Sequence, residues 1–155
     1  MNKIALIVLF SIFCLSLVAQ TGIYGLSYGQ SMEDAEKTLK AAGFTVSERH
    51  TDNIIYTAEK IPSLKKLIVN KTSEGNNVYS WFAYYDTNAL DEDAAVEMVE
   101  NINGSYDIYD DYDYVYVWDI GNDKAIYVFE NYEDETVIEY SIWDSYYDDW
   151  WDYWW

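Results

Sequence analysis

The stretch Tyr106-Asp107-Ile108-Tyr109-Asp110-Asp111-Tyr112-Asp113-Tyr114-Val115-Tyr116-Val117-Trp118 decides how the rest of the chain is read. From Tyr112 onward it alternates strictly. Tyr112, Tyr114, Tyr116 and Trp118 fall in one phase; Asp113, Val115 and Val117 fall in the other. A two-residue period belongs to a β-strand, whose side chains point to opposite faces in turn. The spacing predicts a strand over 112–120, with its aliphatic phase toward a core and its aromatic phase outward. Asp110-Asp111 predicts a turn before it, and 105–109 an earlier strand.

Working downstream, Gly121-Asn122-Asp123 predicts a tight hairpin turn, because those residue types tolerate positive φ. Strands are expected over 124–130 and 135–144. Upstream, Ala95, Met98, Val99 and Ile102 recur at helical spacing, with Asn88 or Asp91 as the capping residue and Asn103-Gly104 as the stop. The first part of the chain shows the same order. Ser31 caps a helix whose apolar stripe is Met32, Ala35, Leu39 and Ala42, and Gly43 ends it. Strands follow over 44–50, 54–59, 64–70 and 78–86. A shift of sixty residues lays Ala35 on Ala95 and Leu39 on Val99.

Short turns between consecutive strands imply antiparallel pairing, and each one-sided helix must bury its stripe on a sheet. The expected fold is therefore α+β: an antiparallel sheet of about eight strands with both helices on one face. It is expected as two helix-plus-four-strand units, 22–87 and 88–144, within one domain spanning 20–144.

The N-terminus predicts export. Lys3 is followed by an apolar run from Ile4 to Val18 and a small residue, Ala19, before Gln20. That pattern is a secretory signal peptide over 1–19, too short for a comfortable membrane span. Cys14 follows Phe13, which does not fit a lipobox. The only cysteine lies in this segment, so a mature chain has no disulfide. Disulfide-free export suits a bacterial envelope, secreted or periplasmic.

Charge is lopsided. Residues 20–90 carry eight acids against seven bases, while 91–155 carry twenty acids against Lys124 alone. Such a half repels nucleic acid and anionic lipid and attracts cations or a basic protein.

The segment from Gly25-Leu26-Ser27 through Leu39 to Gly43-Phe44, followed by a meander, resembles the start of units in the β-lactamase-inhibitor-protein and BamE/SmpA-like group. The resemblance implies an exported bacterial module, sometimes in tandem, that binds other proteins and is not an enzyme. It carries no binding residue across to this chain.

Candidate sites follow from the strand phases. If the aliphatic phase meets the helices, an aromatic sheet face made by Tyr79, Trp81, Tyr114, Tyr116, Trp118, Tyr127, Phe129 and Trp143 turns outward. Exposed Tyr and Trp suit a protein partner, and flat rings beside acids also suit sugars. The competing expectation is that the tail, or a second copy of the chain, covers this face. Asp107, Asp110, Asp111 and Asp113 could supply oxygens to a calcium ion, although their spacing is not that of an EF-hand and a solvated acidic turn is the plainer reading. His50, the single histidine, sits beside Glu48 and Arg49 and offers no nucleophile–base pattern. A carboxylate-based hydrolase is the weaker alternative. In the tail 145–155, Tyr146, Tyr147, Trp150, Trp151 and Trp154 continue a helical spacing from Trp143, with Asp148, Asp149 and Asp152 opposite. The first expectation is a short amphipathic helix laid on the protein, ahead of a floppy tail and of docking at a membrane surface.

Overall fold

The computed structural model describes residues 22–72 and 75–142. A single 3₁₀ turn, Ile23–Gly25, leads into helix α1 (Met32–Ala41). Four strands follow: β1 (Thr45–Arg49), β2 (Asn53–Thr57), β3 (Leu64–Lys71) and β4 (Val78–Asp86). Helix α2 (Glu92–Asn103) comes next, then β5 (Ile108–Asp110), β6 (Val115–Asp119), β7 (Lys124–Glu130) and β8 (Glu135–Ile142).

Local chemistry accounts for the element ends. The Ser31 hydroxyl accepts the Asp34 amide at 3.1 Å, and the Asp91 carboxylate accepts the Ala94 amide at 2.9 Å. Each satisfies one of the amides that the first helical turn leaves free. Glu33 and Asp34 in α1, and Glu92 and Asp93 in α2, sit where the helix dipole favours negative charge. Beyond the helices, Gly43 and Gly104 take φ of 93° and 82°. Asn122 and Asp123 both have positive φ, 56° and 58°, in the β6–β7 hairpin.

All eight strands join one antiparallel sheet in the order β1-β2-β3-β4-β8-β7-β6-β5. The element sequence is helix and four strands, twice over. The division into two units is nonetheless not evident in the sheet, because β4 and β8 pair from Trp81↔Tyr140 to Asp86↔Glu135 and one core runs beneath both.

The register fixes which side chains share a face. Ile54, Val69, Trp81, Tyr140, Ile126 and Trp118 are cross-strand neighbours in one row; Tyr56, Leu67, Ala83, Ile138, Val128 and Tyr116 form the next. This side packs on Ala35 and Leu39 of α1 and on Ala95, Val96 and Val99 of α2. The stripe of α2 is turned slightly from the expected one: Val96 is buried, and Ile102, in the last turn, is 48% exposed.

The same register corrects the expected phases. In β7 and β8 the aliphatic residues Ile126, Val128 and Ile138 do face the helices. In β6 the aromatic residues Tyr116 and Trp118 face them, and Val115 and Val117 lie on the opposite side in a second cluster with Ala125 and Tyr127. Both faces of β6 to β8 are buried to a large degree. Alternation in hydrophobicity therefore loses its power to tell inside from outside. On the helix side the rings of Trp118 and, in part, Tyr116 join the main core cluster.

Above the centre of the sheet, Trp81 and Tyr140 stack at 4.5 Å with 13° between their planes. Gly22 passes directly over them. A Cβ at that position would lie 2.5 Å from both rings, so only glycine fits. The Tyr140 hydroxyl accepts the Ile23 amide and meets the Asn103 side chain, each at 3.2 Å. One ring thus ties the lead-in turn, β8 and the end of α2 together.

Candidate functional site

The residues foreseen as an aromatic binding face are scattered by the fold. Trp81, Trp118 and Tyr127 are almost wholly buried, and Tyr116 is half-buried. Only Tyr79, at 36%, and Tyr114, at 65%, are open to solvent. Trp143 and the tail 145–155 lie outside the described residues, as does the signal segment 1–19.

Most of the exposed large side chains among the described residues lie instead at one edge of the sheet. Tyr106, Ile108, Tyr109, Tyr112 and Tyr114 are all large and all exposed, within nine residues, and Ile102 is exposed at the end of α2. Strand β5, three residues long, is the last strand on that side.

This edge is built on fixed parts. The Trp118 indole N–H donates to the Gly104 carbonyl at 2.7 Å, pinning the exit of α2 to β6. Tyr106 then lays its ring edge-on against Tyr116 at 5.0 Å and Trp118 at 6.0 Å. Tyr109, across the strand pair from Tyr116, sits 4.6 Å from its ring. The outer tyrosines therefore rest on an inner aromatic layer that belongs to the core. Such contacts add about 0.5–1.5 kcal/mol per pair beyond area burial, which orders the edge without hiding it.

Two of the four aspartates, Asp107 and Asp110, hold the backbone of the edge. The Asp110 carboxylate accepts the Tyr112 and Asp113 amides at 2.9 and 3.4 Å, closing the turn into β6. Asp107 accepts the Asp119 amide at 2.8 Å. Tyr114 completes the turn at φ 57°, a conformation unusual for a bulky residue. Asp107, Asp110, Asp111 and Asp113 do not converge: among the described residues no three His, Cys, Asp or Glu side chains are gathered to hold a metal ion.

Electrostatics mark the same edge as negative. Burial, followed by the charge of nearby Glu92, raises the Tyr109 and Tyr116 hydroxyls above their ordinary range. Glu92 is itself raised, by burial first and then by Glu130 and Asp93. Lys124, the sole base after residue 90, lies 4.8 Å over the Tyr28 ring rather than among these acids.

Two other places hold polar chemistry. A shallow cleft of about 550 Å³ beside α1 is bordered by Glu36, Lys37, Lys40, Arg49 and Lys71. The Arg49 guanidinium there is already held by both Glu36 oxygens, at 2.7 and 2.9 Å. His50 is exposed and 3.2 Å from Glu48. The second place is Glu139, on the sheet face turned away from the helices. It lies between Phe82 of β4 and Tyr127 of β7, is 5% exposed, and has its carboxyl pushed up to about 7 by burial, which a Ser141 hydrogen bond only partly offsets. A single acid in the run Val137-Ile138-Glu139-Tyr140 was the sequence signal for it. For the edge, the signal was a short strand bracketed by aspartates.

Comparison of the chain with protein-family models, with curated proteins and with solved structures returns no match.

Proposed function

We propose that the chain is an exported, non-enzymatic module that binds another protein at the tyrosine–aspartate edge formed by β5 and the turn into β6. One observation carries this reading: five exposed large side chains in nine residues, seated on an inner aromatic layer at the last strand of the described sheet. An open edge strand offers unpaired amides and carbonyls to an added strand. Tyrosine supplies contact area at low entropic cost, and the surrounding acids select a basic partner and speed its arrival. The resemblance of residues 25–44 to exported protein-binding modules points the same way.

The probe that tests the reading is a strand-forming peptide of alternating lysine and valine. It is expected to bind the chain with an affinity that falls steeply with salt. Tyr112→Ser with Tyr114→Asn removes two exposed rings at little cost to folding, since asparagine tolerates the positive φ at 114. That pair is expected to weaken binding at least about tenfold while shifting stability by less than about 0.5 kcal/mol. Salt-insensitive binding of oligosaccharides, with no peptide binding, would instead favour a carbohydrate ligand at the same rings.

Export carries its own expectation. Protein recovered from the envelope or medium of a bacterial host begins at or near Gln20 by intact mass. Recovery of a membrane-held form that still starts at Met1 would contradict the signal-peptide reading.

A further inference from the structure

We propose that residues 143–155 lie across the sheet face turned away from the helices, over β6 to β8, as a built-in cover. On that face Val117 is 3% exposed, Tyr127 1%, Val137 1% and Glu139 5%. An open sheet face does not hide its side chains to this degree. Yet α1, α2 and the turn at 23–25 all pack on the opposite side, with Trp81 and Tyr140. No described element lies over Val115, Val117, Ala125 and Tyr127, which form a buried cluster of their own with Phe129 packed against it.

The occupant follows from where the chain leaves the sheet. Strand β8 ends at Ile142, opposite Lys124 at the start of β7, so the next residue begins at the rim of this face. Val137, Glu139 and Ser141 alternate onto the face, and the same period reaches position 143 next. The thirteen residues from Trp143 to Trp155 hold five tryptophans, three tyrosines and four aspartates. Three strand spacings, from β8 to β5, span only ~14 Å, which thirteen residues cover even in a helix of ~20 Å. The rings would meet Val117, Tyr127 and Val137, and the aspartates would stay in water. Gly22, the first described residue, sits on the Trp81 and Tyr140 rings, on the helix side of the sheet. The signal-peptide expectation has residues 1–19 removed.

A thiol at position 117 tests this directly, because a chain that starts at Gln20 contains no cysteine. Val117→Cys is expected to react slowly with a water-soluble maleimide in the 20–155 chain. It is expected to react at least about 100-fold faster when residues 143–155 are deleted, or when Trp150, Trp151, Trp154 and Trp155 are all changed to Ser. Ala95→Cys, under α2, reports whether the domain remains folded and should stay slow in both. Acceleration at 117 with protection at 95, in either variant, establishes the cover. Slow labelling at 117 wherever 95 stays protected would overturn the proposal, as would fast labelling in the intact 20–155 chain, which leaves the face open or assigns it to residues 1–19. Protection at 117 that disappears on dilution would overturn it in favour of a second copy. Loss of protection at 95 in both variants would overturn it too, because the tail would then belong to the core rather than cover a finished face.

Discussion

Glu139→Gln is expected to stabilise the protein by about 3 kcal/mol at pH 8 and to change little at pH 4. The carboxyl sits in the middle of an apolar row. Phe82 and Tyr127 are its cross-strand neighbours, Tyr84 lies diagonally across on β4, and Ser141 is its one hydrogen-bonding neighbour on β8. Its charge is felt at Tyr84 and Tyr28, whose hydroxyls are raised chiefly by burial and then in part by Glu139. Among the described residues no base is placed to neutralise it: burial raises it and the Ser141 hydrogen bond offsets this only in part.

The sign follows from the folded value of about 7 against an ordinary 4.5. Below the ordinary value the group is neutral in both states and costs nothing. Between pH 4.5 and about 7 the unfolded chain ionises while the folded one resists, so stability falls as pH rises. Above about 7 the full penalty stands. Relief of repulsion among the acids after residue 91 acts in the same direction. Asp86 and Glu135 act oppositely. Asp86 is lowered first by the Asn88 amide. For Glu135 burial opposes ionisation, but the Asn131 and Lys65 hydrogen bonds outweigh it. Their stabilisation is present above the ordinary carboxylate range and is lost as pH falls through their lowered values. The melting temperature should therefore rise from pH 8 to about pH 5 and fall below about pH 4. Glu139→Gln should flatten the first limb and leave the second intact. A wild-type protein whose melting temperature drops steadily from pH 8 downward would contradict this account.

Trp81→Ala is expected to be the most damaging single change, at about 3–5 kcal/mol and a fall in melting temperature of roughly 10–20 °C. The ring is fully buried, stacks on Tyr140, and touches Tyr28 at 4.8 Å. Removing it leaves a cavity under Gly22 that no neighbouring side chain fills. The reverse change tests the same contact from above. Gly22→Ala places a methyl where both rings already are, and should cost about 1–3 kcal/mol through forced movement. The two changes share one space, so the double variant should lose less than the sum of the singles. Strict additivity by denaturant unfolding would show that Gly22 does not rest on this stack.

The elements were legible because each has a local cause. Ser31 and Asp91 cap helices, Gly43 and Gly104 end them, and Asn122-Asp123 turns a hairpin; none of these needs tertiary information. The facing of β6 was not legible. Its alternation told that two faces exist, but Val115 and Val117 are as buried as Trp118, so hydrophobicity could not say which side holds the helices. Burial on both faces is a property of the assembled sheet. The candidate edge was half legible. The crowd of tyrosines and aspartates was plain in 106–114, but their exposure depends on β5 being the last strand. That follows from β4 pairing with β8 rather than from anything local. Glu139 was not singled out from the sequence; its shifted titration comes from burial among its neighbours across β4 and β7.

The central claim is that the β5 edge and its turn receive a basic polypeptide. It is tested most directly by recording backbone amide NMR signals of the 20–155 chain while the lysine–valine peptide is added. The account predicts shifts concentrated at residues 106–114, with the Ile108 and Asp110 amides slowed in hydrogen exchange, and loss of these shifts at high salt. Shifts confined to the cleft beside α1 or to the face around Glu139, with 106–114 unmoved, would contradict it.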